Sequence, residues 1–106
     1  MPLMTPAASY EIVDGVRRAR AWQLAGATAV LAQVLAADGT LGPVLAVPID
    51  QLLSPKPDID LSTARQADRF WNIWHAIRAG RGVQLPPLVI TPGTRGTRLA
   101  DLAWKH

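Results

Sequence analysis

The sequence predicts a small α/β or α+β domain, a mixed sheet carrying two main helices. Short β-branched runs of ordinary strand length alternate with only two stretches of helical composition. Apolar residues recur at helical spacing in the second of those stretches, and Gly and Pro mark the boundaries between elements. The 106 residues suffice for one core. No internal repeat divides them, so residues 10–106 are expected to form a single domain behind a disordered lead-in at 1–9.

Tyr10-Glu11-Ile12-Val13 alternates in polarity and ends in β-branched residues, which reads as a strand. Asp14-Gly15 is a sharp turn, where glycine permits a positive φ or a close approach to a ligand. Val16 to Ala25 has helical composition and stops at Gly26, a common helix terminator. Ala29 to Leu35 reads as a strand returning beside the first one. Ala36 to Pro43 is a connector punctuated by Asp-Gly and Gly-Pro.

Val44 to Leu53 is one apolar run, in which Pro48 points to a sheet edge or a strand start. Ser54 to Asp58 is extended and stiffened by two prolines. The second helix is expected from about Ser62 to Ala79, capped by Asp60 or Ser62 and ended by Gly80. Ala67, Phe70, Trp71, Trp74 and Ile77 form its buried stripe. Leu85 to Thr91 is a strand entered through a double proline. Pro92 to Arg98 reads as a turn or a flexible basic loop, and Leu99 to Trp104 as one helical turn.

Composition narrows the chemistry. At 49% hydrophobic and 18% charged residues the chain is globular rather than disordered. No apolar run is long enough to span a bilayer, since Leu24 to Ala37 is broken by Gly26, Thr28 and Gln33, so no membrane partner is expected. Met1 to Ser9 lacks a secretory signal pattern, and Met1-Pro2-Leu3-Met4 reads as an artificial start or a cut from a longer chain. With no cysteine, disulfides and thiolate chemistry are excluded. His75 and His106 are far apart, and no carboxylate completes a zinc spacing, so no metal site is assigned. The net charge of +3 and a pI near 10.2 suit a polyanionic or phosphate partner.

The strand–Gly15–helix unit carries the sharpest chemical signal. Arginines in a first helical turn oppose the helix dipole, so Arg17 and Arg18 need another reason to be there. A phosphate held jointly by free backbone N–H groups and two guanidinium groups supplies one. Arg18 could instead bridge to Glu11 or Asp14, and Arg17 could face water. Asp14 is a candidate proton acceptor as well as an ordinary turn residue. Lys56 could reach the same phosphate. His75 is a candidate general acid on the second helix, where Arg65 and Arg69 form a solvated or polyanion-facing stripe.

Tyr-Glu-Ile-Val-Asp-Gly-x-x-Arg-x-x-Ala, followed by a helix, a glycine and a strand, resembles the ParB/sulfiredoxin superfamily. Gly15 and Arg18 fall on its Gly-x-x-Arg positions, and Ala21 on the small residue that packs helix on sheet. Val47-Pro48-Ile49-Asp50-Gln51-Leu52-Leu53-Ser54-Pro55-Lys56 resembles the family's opening segment. Trp74 to Gly80 followed by Leu85 to Ile90 resembles its "I-x-x-x-G…P-P-l-v-V" segment. Together these cover most of Tyr10 to Thr91. In the family the last two segments precede the glycine element, whereas here they follow it. The resemblance therefore implies a circular permutation with Ala36 to Ala46 as the new connector, in which the strands Leu88 to Thr91 and Tyr10 to Val13 pair and the chain ends lie close. Exchange of halves between two chains, giving a swapped dimer, is the alternative.

The departures limit what carries over. Val16 stands where sulfiredoxins need cysteine and where ParB-type nucleotide-binding proteins often have glutamate. Sulfiredoxin activity is thereby excluded, and the ParB helix-turn-helix has no counterpart. What the resemblance still implies is a phosphate cradle at Gly15, Arg17 and Arg18, with Asp14 and Lys56 nearby. Detached domains of this kind resemble the C-terminal domains of bacterial polymorphic and Rhs-type toxins. That implies an effector acting on nucleic acid, a nuclease first, with Asp14 or His75 moving the proton and magnesium the one cofactor to test. It further implies delivery within a larger secreted protein, action in the cytoplasm of a target or producing cell, and a cognate immunity protein as partner. A nucleotide-binding or nucleotide-hydrolysing module, or a non-catalytic DNA- or protein-binding domain, are the alternatives.

Overall fold

The computed structural model describes residues 7–106. Its strands are β1 (Tyr10–Asp14), β2 (Ala29–Val34), β3 (Leu45–Pro48), β4 (Leu52–Ser54), β5 (Asp58–Asp60), β6 (Leu88–Pro92), β7 (Thr97–Arg98) and β8 (Ala103–Lys105). The helices are α1 (Val16–Leu24) and α2 (Ala64–Arg78). Six strands form a mixed sheet in the order β3-β2-β6-β1-β4-β7, and β5 pairs with β8 in a separate two-stranded ribbon. This is an α+β arrangement.

The sheet is built on β6 and β1, its two central strands. They pair antiparallel as expected, Tyr10 opposite Pro92, Glu11 opposite Thr91 and Ile12 opposite Ile90. The register then slips between Ile12 and Asp14, which marks a β-bulge beside the Gly15 turn. β2 does not lie beside β1, contrary to the sequence expectation. β6 inserts between them, running parallel to β2 with Ala32 opposite Leu88. Both flanks of β6 carry apolar residues that sheet packing can use, so periodicity alone could not rank its neighbours.

The run from Val44 to Leu53 divides into two strands. Pro48 ends β3, the edge strand of the sheet, where its missing N–H is harmless. A 3-10 turn at Ile49–Gln51 then turns the chain into β4, parallel to β1. Two further strands stand where a basic turn or loop and the end of a single helical turn were expected. Thr97–Arg98 pairs with β4, and Ala103–Lys105 pairs with β5 after a 3-10 turn at Leu99–Asp101. Strands of two and three residues leave too short a pattern to be read from sequence. Of the expected lead-in, residues 1–6 lie outside the described residues. Ala7 packs against the core, and the Ser9 hydroxyl donates to the Gly93 carbonyl oxygen, so this part is fixed to the fold.

Along β1, β2 and β6, buried residues alternate with more accessible ones. Tyr10, Ile12, Val30, Ala32, Leu88 and Ile90 turn to one face, where the core also takes in Ala19, Ala21 and Phe70 from the helices. Val13 and Leu31 are about half exposed on the strands. α1 packs on α2, and its small residues Ala19 and Ala21 are fully buried.

The cap of α2 is Thr63, one residue beyond the nearer expected cap. Its hydroxyl accepts from the Gln66 N–H at 3.1 Å, a device whose loss typically costs about 1 kcal/mol. Asp60 instead accepts from the Ser62 N–H at 2.8 Å, bracing the turn that leads in. Phe70 is fully buried, while Ile73, Trp74 and Ile77 pack partly against the core. Trp71 departs from the expected buried stripe and is 39% exposed. Phe70 meets Trp71 and Trp104 edge-on at 5.0 and 5.3 Å, so Trp71 caps this aromatic cluster from outside.

Candidate phosphate-binding cleft

The turn between β1 and α1 is made by residues that leave little choice. Gly15 has φ of +112°, and a Cβ there would stand 2.4 Å from Leu88 Cδ2. It therefore supplies both the backbone angle and the room that the turn needs. As the N-cap of α1 it offers no side-chain acceptor, and the first helical turn contains no acidic residue. The N–H groups of that turn are left for an incoming acceptor. The bulge in β1 sets Asp14 on the rim, with its side chain 70% exposed.

This turn opens into a cleft of about 580 Å³, within the size range of small-ligand sites, roughly 300–1,000 Å³. Six of the eight residues singled out in the sequence line it: Asp14, Gly15, Arg17, Arg18, Lys56 and Arg69. They come from β1, α1, the loop after β4, and α2. The structure brings them together from positions 55 residues apart in the chain, 14 to 69. Arg65 and His75 are not among the lining residues. Arg65 is exposed on α2, and His75 is exposed with its ring 5.1 Å from Trp74, edge-on.

Arg18 is largely enclosed, its side chain 17% exposed. Its guanidinium Nη2 donates to Asp14 Oδ2 and to the Pro87 carbonyl oxygen, both at 3.3 Å. Of the two bridges considered from sequence, the one to Asp14 forms. Arg17 does not simply face water: its Nη2 donates to Gln66 Oε1 at 2.6 Å, tying α1 to α2. The Nε atoms of both arginines are buried without an acceptor. Arg20, one turn further along, sits over the Trp104 ring at 5.3 Å and donates to Gln23 Oε1 at 2.5 Å. Burial pushes its guanidinium below the usual arginine value.

Other cleft residues were not found from sequence. Lys105 enters from β8, while Asp58 and Asp60 enter from β5. No spacing rule links Lys105 to Gly15. Only the pairing of Asp60 with Lys105 in the β5–β8 ribbon sets that lysine against the cleft. Hydrogen bonds from the Ser62 side chain and backbone hold the Asp60 carboxyl below the usual carboxylate range, and the Lys105 and Arg17 charges add to this. In all, five cationic side chains and three carboxylates line the cleft. Among the described residues, no group of three or more His, Cys, Asp or Glu side chains is placed to hold a metal ion. No helix among them is long and apolar enough to cross a membrane.

Comparison of the chain with family models, with curated proteins and with solved structures gave no match.

Proposed function

We propose that this domain holds a phosphate at the start of α1, and that its ligand is a nucleotide or a nucleic-acid strand. One observation carries the reading. Five of the six residues expected to bind phosphate, all but Arg65, converge on one cleft, at a helix N-terminus that has neither a side-chain cap nor an acidic residue in its first turn. Backbone donors, a partial positive charge and guanidinium groups all favour the same anionic ligand there.

The resemblance to ParB-like domains of bacterial toxins supports an effector that cleaves nucleic acid in a cell's cytoplasm and is restrained by an immunity protein. In that mechanism Arg17 and Arg18 neutralise the scissile phosphate as negative charge builds on it. Asp14 accepts a proton from the attacking water as its oxygen bonds to phosphorus, the phosphorus–oxygen bond to the leaving group breaks, and the departing oxygen takes a proton from solvent. Asp14 takes this role ahead of His75 because it stands on the rim of the cleft.

The test is incubation of the protein with plasmid DNA and with single-stranded RNA, with and without magnesium, beside Arg18→Ala and Asp14→Asn. Cleavage is expected from the wild type and from neither variant, each checked for folding by circular dichroism. Absence of cleavage of both polymers refutes the nuclease. A second reading, a nucleotide-binding module, is favoured by Asp58 and Asp60, which interrupt the positive lining that a polyanion track would want. Saturable thermal stabilisation by a mononucleotide without turnover supports it.

A further inference from the structure

The cleft is bipolar. Its cationic part comprises the α1 turn, Lys56, Arg69 and Lys105, and its acidic part lies on β5. The two carboxylates of β5 are in different situations. Asp60 is engaged by Ser62. Asp58, two residues earlier on the same face of the strand, is half-buried and lines the cleft, and its side chain makes no hydrogen bond or ion pair with the described residues. The rest of the cleft can hold one phosphate. Next to Asp58 a second phosphate would be repelled, whereas a neutral group with O–H donors would satisfy a carboxylate that has lost part of its water.

We infer that Asp58 is a specificity residue that accepts hydrogen bonds from the ribose hydroxyls of a ligand whose phosphate is held at the start of α1. The proposal rests on the phosphate-binding reading and deepens it by choosing ribose over deoxyribose. A 2′-hydroxyl is the group by which a site can tell the two apart, and a carboxylate acceptor is one established way to recognise it. The shared chemistry is a phosphate with a neighbouring ribose hydroxyl, whether on a free ribonucleotide or on an RNA strand.

The experiment is isothermal titration of the protein with inorganic phosphate, ribose 5-phosphate and 2-deoxyribose 5-phosphate. Matched 5′-phosphorylated oligoribonucleotides and oligodeoxyribonucleotides of the same sequence form a second arm. Ribose 5-phosphate is expected to bind about tenfold tighter than its deoxy analogue, the order of one hydrogen bond to a charged acceptor. In Asp58→Ala that ratio falls to about one. Asp58→Asn, which keeps the shape of the side chain, reduces it to an intermediate value. A ribose preference larger with the oligonucleotides than with the sugar phosphates identifies RNA as the source, and the converse identifies the free nucleotide. Equal binding of the two sugar phosphates by the wild type, or a preference that survives Asp58→Ala, overturns the role of Asp58 and leaves the phosphate site standing. Failure of every phosphate compound to bind brings down both.

Discussion

Replacing Gly15 by alanine tests the foundation of the cleft. At φ of +112° an L-residue is strained, at a cost of about 1–3 kcal/mol. The new methyl group would also stand 2.4 Å from Leu88 Cδ2, and Leu88 is 1% exposed, so it cannot swing into solvent. Overpacking of that kind adds about 1–3 kcal/mol. The sum, roughly 4 kcal/mol, is a large share of the 5–15 kcal/mol that holds a typical domain together. It corresponds to a fall of about 15 °C or more in Tm for a domain of this size. The control is Gly39→Ala. Gly39 also has a positive φ, +88°, but nothing lies within 4 Å of the added methyl group. Its cost is the backbone contribution alone, about 1–3 kcal/mol. Thermal unfolding of both variants by circular dichroism separates the two contributions. If Gly15→Ala melts within a degree or two of Gly39→Ala, the close packing of the turn on Leu88 is refuted. The phosphate affinity of Gly15→Ala, measured below its melting range, is expected to fall as well, because the same methyl group presses on the Arg18 guanidinium at 3.0 Å.

Two further outcomes follow from charges at the cleft. Asp14→Asn removes a carboxylate that occupies Arg18, a pair whose acid is 70% exposed and which is worth at most about 1 kcal/mol in stability. Its Tm is expected to change little while inorganic phosphate binds more tightly in a titration, and weaker binding would contradict the competition. Asp60, whose folded-state pKa is depressed by its bonds to Ser62, contributes stability present above its unfolded pKa and lost as pH falls through the folded value. Asp60→Asn is therefore expected to flatten the decline of Tm below about pH 4. An unchanged acid limb would show that the Ser62 bonds do not persist in solution.

Much of this arrangement was legible in the chain because it is local. Tyr10 to Ala25 reads directly as strand, glycine turn and helix, since each residue's backbone preference agrees with its neighbours'. Pro48 announced an edge for the simple reason that it has no N–H to give. The pairing of β1 with β6 was reached from the order of resembling segments, not from any property of Tyr10 or Ile90. Residues that depend on tertiary pairing alone stayed hidden. Asp58 and Lys105 sit on three-residue strands, too short for alternation to register. Trp71 has the spacing of a core residue, and only its place at the outer side of Phe70 and Trp104 decides that it faces solvent. The separation of His75 from the cleft was equally beyond reach, because helical phase depends on which face α1 covers.

The central pairing sets the order in which a ribosome can deliver this fold. Tyr10 emerges 82 residues before its partner Pro92. The middle of the sheet therefore stays open until β6 has emerged, and early β2 and β3 have only each other. Folding dominated by such distant contacts is slow, because a long loop must close before any pairing offsets it. The same geometry works in reverse. A pull applied to the chain on the amino side of Tyr10 reaches β1 before the other strands and draws it out from between β6 and β4, removing Asp14 and displacing the Gly15 turn that follows it. Completion of the cleft thus waits on the arrival of β6, and a pull on β1 dismantles the cleft early.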